Sequence, residues 1–194
     1  MTVSAGSGRR GRPRISSFQV LRDAALRFRP HYEVADQNEG ALRVRLRDPR
    51  GQRPDLVVRH RHDRRLFFRA NYLVVEADVP GRGPPSDGEL RFRFRGPFSR
   101  QRASLGWRAP VPGGEEWTAR LRDPLAEALG SIEAIESLGI RWLARSRRWR
   151  LELKTLSGSM VGGFMTAMPI VVPLEPKEVT GILGLVDALA ATGS

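Results

Sequence analysis

His60 and His62 stand two residues apart in the stretch RHRHDRR, residues 59–65, between the apolar runs DLVV and LFF. On an extended strand, residues two apart leave the same face, so the spacing sets two imidazoles on one metal ion, with Asp63 or His31 as a further ligand. A His-dependent enzyme would take its base from the same pair. Arg59, Arg61, Arg64 and Arg65 oppose the metal, because their charges crowd the position of a divalent cation and repel it. The chain holds three histidines and no cysteine, so no other His-rich segment completes a ligand set. The residue types favour a hairpin turn centred on Asp63 and Arg64, its polar tip in water. No cofactor and no metal are expected, and His60 and His62 are the metal candidates that remain.

The arginines offer a second chemistry. In ALRVRLRD, Leu42, Val44 and Leu46 face one way and Arg43, Arg45 and Arg47 the other. ELRFRFR repeats the pattern, with Leu90, Phe92 and Phe94 opposed to Arg91, Arg93 and Arg95, and WRLELKTL adds Arg150 and Lys154 around Glu152. If these strands share a sheet, the cations form a basic platform able to contact phosphates or an acidic protein surface. Reading bases on a sheet requires exposed aromatic rings, and Phe92, Phe94 and Trp149 alternate onto the apolar side instead. The competing reading is a solvated face with Glu152 as a partner.

Residues 1–14 combine Gly, Ser, Arg and Pro with almost no apolar side chains, the composition of a disordered basic tail. Inside it the run RGRP, Arg10 to Pro13, resembles the core of the AT-hook. That resemblance spans four residues and implies that Arg10 and Arg12 enter the minor groove of AT-rich DNA. The net charge of +12 points the same way, toward a polyanion. Lys154 and Lys177 are the only lysines among 33 basic residues, a bias that GC-rich coding also produces. Part of the excess therefore carries no information about partners.

LSGSMVGGFMTAMPIVVPL, residues 156–174, carries no charge and is long enough to cross a bilayer as a helix. Its glycines, prolines and hydroxyls suit a buried strand or a glycine-broken strand pair better, so no membrane span is expected. Gly158, Gly162 and Gly163 allow close approach to the backbone and, with Met165, mark a ligand-lining stretch. This carries the alternative function, a small apolar ligand-binding or protein-interaction module with a cavity lined by 157–173. GSMVGG matches neither a P-loop nor a nucleophile elbow, and the sequence sets no base beside Ser157 or Ser159. Catalysis is accordingly the third reading.

These residues need elements to position them. At 194 residues one domain, 15–194, is able to bury about 70% of the surface of its unfolded chain. Helical spacing runs from 17 to 29 with Ser17 as N-cap, and again from Trp117 to Leu138 with Gly130 and Gly139 as break and stop. A third helix starts near Pro176 and sets Ile182, Leu185, Val186 and Leu189 on one side. Between the helices lie hairpin-like strand pairs, and VPGRGPPSDG is the clearest loop. The fold class is α+β, an antiparallel sheet with helices packed on one face. The segments 15–80 and 88–194 read as a pseudo-duplicated helix-plus-three-strand unit.

The absence of cysteine excludes disulfide frameworks, zinc fingers and thiolate nucleophiles. The first residues lack the apolar core of a secretory signal, and a cytoplasmic protein is expected. The composite expectation is a non-catalytic protein that meets a polyanion or an acidic protein surface through a basic sheet face and an arginine-rich tail.

Overall fold

The computed structural model describes residues 16–64, 68–94, 103–163 and 169–193. Three helices and nine strands are found among them: α1 (Ser17–Leu26), β1 (Glu33–Asn38), β2 (Arg43–Arg47), β3 (Leu56–Arg64), β4 (Phe68–Pro80), β5 (Gly88–Phe94), β6 (Ala103–Trp107), α2 (Gly114–Gly130), β7 (Ile135–Leu143), β8 (Arg148–Gly163), β9 (Ile170–Val172) and α3 (Pro176–Ala190). The strands make one antiparallel sheet in the order β1, β2, β3, β4, β8, β7, β5, β6, with β9 paired to β8. The α+β class expected from periodicity is the one observed.

All three helices lie on one face of the sheet, because each strand writes its apolar residues on one parity. Val44 and Leu46, Leu56 and Val58, Val75 and Ala77, and Leu151 and Leu153 are buried against Leu21, Phe28, Leu121, Leu125, Ile182 and Val186. Each fully buried Leu or Ile contributes about 2 kcal/mol by area removed from water. The opposite parity carries the charged residues and forms the outer face, on which no helix lies among the described residues.

Local chemistry sets the helix ends, and several differ from expectation. Ser16, not Ser17, caps α1, its Oγ accepting from Gln19 N at 3.1 Å. The helix ends at Leu26 rather than 29, where the chain tightens into turns before Tyr32. Gly130 is the true end of α2, and Ile135 and Leu138 belong to β7. Pro176 opens α3, and Glu175 and Glu178 close a reciprocal capping box.

The turn is not centred on Asp63 and Arg64. The β3 ladder continues through both, Asp63 pairing with Ala70 and Arg64 with Arg69, and Arg65 lies outside the described residues. His62 and Arg64 are exposed although they share the parity of the buried Leu56, Val58 and His60.

Residues 156–159 form a wide bulge in β8. Asn71 pairs with Met160 and Leu73 with Thr155, so Tyr72 alone opposes four residues. Ser159 repairs the broken ladder: its Oγ accepts Leu73 N at 2.8 Å and donates to Thr155 O at 2.9 Å. Gly158 takes a left-handed φ of +75°, and a Cβ there would lie 2.7 Å from Leu73 Cδ2 and 3.2 Å from Ala24 Cβ.

The four tryptophans gather at one end of the core. Trp149 lies 5.0 Å from Trp142, 6.3 Å from Trp107 and 6.5 Å from Trp117, centroid to centroid. Trp142 Nε1 donates to Pro84 O at 2.7 Å and Trp149 Nε1 to Arg82 O at 2.9 Å. The proline-rich loop is thereby fixed onto the indoles rather than left as a loose linker.

Candidate functional site

The outer face gathers cations from five strands. β2 supplies Arg43, Arg45 and Arg47, β3 supplies Arg59 and Arg61, β8 supplies Arg148, Arg150 and Lys154, β7 supplies Arg141 and β5 supplies Arg91. β4, at the centre, contributes carboxylates instead, Glu76 and Asp78. Two adjoining hollows run across this surface. One, of about 730 Å³, is lined by Arg43, Arg45, Arg141, Arg148 and Arg150 together with Asp55, Glu76, Asp78 and Glu152. The other, of about 500 Å³, lies over β5 and β7 between Arg91, Glu89 and Glu136. They share Arg141, Arg150 and Glu152, so they form one trough.

Most of these cations are held by carboxylates. Arg59 donates to Glu76 Oε1 from Nη2 at 2.6 Å and from Nε at 2.8 Å, and Arg150 Nε donates to Asp78 Oδ1 at 2.9 Å. Arg61 reaches Glu152 at 3.6 Å and Lys154 reaches Asp63 at 3.2 Å. Glu89 collects Arg91, Arg108 and Arg141 at 3.3, 3.1 and 4.0 Å. Burial raises the Glu89 carboxyl, but the hydrogen bonds from Arg108 and Arg91 outweigh it and hold the group below the usual carboxylate value. Exposed pairs of this kind stabilise by at most about 1 kcal/mol each. Their structural effect is to fix guanidiniums that would otherwise sample many rotamers.

Arg43, Arg45 and Arg148 differ from the rest. Among the described residues, none of the three has a carboxylate within 4.0 Å, yet all line the larger hollow. Arg43 is also the direct cross-strand partner of Arg59, a like-charge pairing that costs a few tenths of a kcal/mol to about 1.

The sequence-based candidates divide as follows. Arg43, Arg45, Arg91 and Arg150 reach the trough, although Arg91 lies at its far end and is paired with Glu89. Arg93 occupies β5 opposite Ser104. Arg10, Arg12, Arg95 and Met165 lie outside the described residues. Trp149 is fully buried and Phe92 packs partly buried against the core, as their alternation implies. Sequence reasoning took Arg59 and Arg61 as charges that oppose a metal, and passed over Arg141 and Arg148 and the carboxylates Glu76, Asp78 and Glu89. Strand parity alone carried the signal for all of them.

The two histidines share a face without sharing an environment. His60 is 6% exposed, its Nε2 lies 2.9 Å from Gly158 O, and its Nδ1 is buried with no hydrogen-bond partner among the described residues. The carbonyl fixes the tautomer with the proton on Nε2. Burial pushes the imidazole below its ordinary value, against the smaller upward pull of the Gly158 and Ser17 backbone. His62 is exposed, its Nδ1 2.9 Å from Asn71 Oδ1, and Asn71 in turn donates to Ser17 Oγ. Asp63 projects from the other face toward Lys154, and His31 is exposed beyond the far end of α1. Among the described residues, no group of three His, Asp or Glu side chains is placed to hold a metal ion.

Ser157 and Ser159 are equally committed to the fold. Ser157 Oγ donates to Glu178 Oε1 at 2.6 Å, and the same buried carboxylate accepts Glu133 N and Glu175 N. Both serines are buried, and their hydroxyls are engaged within the fold. Gly158 is packed tight under α1, Gly162 has open space around it, and Gly163 ends β8. Among the described residues, no helix is long and apolar enough to cross a membrane.

No curated protein and no solved structure matches the chain. A family model does, over residues 27–192, a span that takes in the whole sheet, α2 and α3. The chain belongs to the family DUF3156, described as a protein of unknown function.

Proposed function

We propose that the protein is a non-catalytic binding protein that takes the phosphate backbone of a nucleic acid in the trough on its outer sheet face. The carrying observation is that Arg43, Arg45 and Arg148 line one hollow without a carboxylate partner among the described residues. A guanidinium presents five donors in a fork that matches a phosphate, and releasing the counterions of each phosphate so contacted supplies affinity at low salt.

Among the described side chains, the same face offers no exposed aromatic ring for reading bases. Tyr72, on the outer side of β4, is buried with Lys154 Nζ 4.0 Å from its ring centroid. Phe92 and Trp149 belong to the core side. Binding is therefore to charge and spacing rather than to sequence. Glu76, Asp78 and Glu152 lower the affinity by repulsion and keep the cations in register.

The test is fluorescence anisotropy of a labelled DNA duplex and a labelled single strand with the full chain, titrated with salt from about 50 mM upward. Arg43→Glu with Arg45→Glu and Arg148→Glu should abolish low-salt binding, and the neutral Gln triple should reduce the salt slope by roughly 2 to 3. Failure of the parent protein to bind either DNA or RNA at low salt ends this reading.

A further inference from the structure

A second cleft meets the trough at Pro80 and lies between the proline-rich loop, α2 and the β7–β8 hairpin. Its volume is about 820 Å³, within the range of small-molecule sites. Trp117 and Trp142 line it with Pro84 and Pro85, and Arg82 and Arg147 are the charged residues of its wall. Among the described residues, no carboxylate lines it. Arg120 adds a cation nearby, its Cζ 5.3 Å from the centroid of the Trp117 ring.

The walls are preformed. The indoles of Trp142 and Trp149 hold the loop by its carbonyls. A Cβ at Gly81 would lie 2.4 Å from Thr192 Oγ1, and one at Gly83 2.4 Å from Trp142. The loop has no freedom to collapse into the cleft.

Arg147 holds a left-handed backbone, φ +50°, at the end of the β7–β8 turn. That conformation costs a residue with a side chain about 1 kcal/mol and costs glycine nothing. Its carbonyl accepts Gly81 N at 3.2 Å, a bond that glycine would make equally well. What glycine lacks is the guanidinium. The strain thus supports a cation at the cleft rather than the turn itself.

From this we infer that the cleft binds a small aromatic anion, a ring carrying a carboxylate, sulfonate or phosphate group. The indole and proline walls accept the ring, and Arg82 and Arg147 accept the anionic group. The end of α3 contributes about half a negative charge nearby, but Leu189 O already accepts Thr192 Oγ1. Asp87 beside the hairpin is engaged by Ala144 N. Two full positive charges outweigh these.

The probe is 8-anilinonaphthalene-1-sulfonate, followed by energy transfer from tryptophan, with N-phenyl-1-naphthylamine as its uncharged counterpart. The full chain should bind the sulfonate saturably at one site and the uncharged probe far more weakly. Arg147→Gly should melt at the same temperature or higher yet bind the sulfonate at least about fivefold more weakly, the loss of one charge-assisted contact. Arg82→Gln should do the same without touching the turn. Arg43→Glu with Arg45→Glu should leave the sulfonate bound as before, which separates this cleft from the trough. The inference is overturned by absence of saturable binding, by equal affinity for the two probes, by Arg147→Gly and Arg82→Gln both binding normally, or by loss of binding in the trough variant.

Discussion

Arg141 and Arg150 face each other directly across the β7–β8 ladder, two guanidiniums at a position where a sheet gains most from opposite charges. Arg150 is held by Asp78, which raises it above its ordinary value, and Arg141 only reaches Glu89 at 4.0 Å. Both side chains line both hollows of the trough. Relieving the repulsion should therefore help the fold and harm binding. Arg141→Gln is expected to raise unfolding free energy in urea by about 0.5 kcal/mol and to weaken duplex binding severalfold. A variant that loses stability and binds DNA as the parent does would contradict the proposed role.

Removing a carboxylate should act in the opposite direction. Asp78→Asn frees Arg150 and deletes one negative charge from the trough wall. At a few ångströms in high dielectric that charge is worth about 1 kcal/mol, so low-salt affinity for a duplex should rise roughly fivefold. Anisotropy titrations with Asp78→Asn beside the parent measure it. An unchanged or lowered affinity would place the contact elsewhere.

Stability should fall with acid because of His60. Its imidazole lies below the ordinary value through burial, so between the ordinary and the folded value the unfolded chain binds a proton that the folded chain does not. The stability it supports is full above about pH 6.5 and is lost as pH falls below that value. His60→Gln, which keeps a donor for Gly158 O, should remove this part of the pH dependence. Urea midpoints between about pH 7 and pH 5 read the difference, and parallel curves for the two proteins would refute it.

Gly158→Ala tests the bulge. The added Cβ meets Leu73 at 2.7 Å and forces a side chain into a left-handed backbone. Backbone strain and overpacking together are expected to cost about 3 kcal/mol by chemical denaturation. Gly162→Ala, with open space at its Cβ, should cost under about 1. Equal effects at the two glycines would show that the bulge is not packed as described.

Much of the architecture was legible because an antiparallel sheet covered on one side writes period two into its strands. Arg43, Arg45 and Arg91 left the sheet on the side that their alternation with Val44, Leu46 and Leu90 implied. The segment after Gly130 was not legible: Ile132, Ile135 and Leu138 keep helical spacing, yet a run so short fits a loop residue and a strand equally well. RHRHDRR misled for a related reason, since its polar residues suit a turn, yet the ladder continues through Arg64.

The site was half legible. Parity gave the cations but not their partners, because Glu76 and Asp78 meet Arg59 and Arg150 only once β4 lies between β3 and β8. The bond from Ser157 to Glu178 and the tryptophan cluster join residues far apart in the chain, and no local pattern announces them.

The position of β8 also governs the order in which the chain can assemble. β3 and β4 form a local hairpin, but the other edge of β4 waits for β8, whose first residue follows the end of β4 by more than sixty positions. Until that segment emerges during synthesis, β4 presents a long apolar edge of unpaired amides and carbonyls, Leu73 to Val79 among them. Such an edge is slow to close and templates pairing with other chains, so the newborn N-terminal half is the species most in need of a holding chaperone.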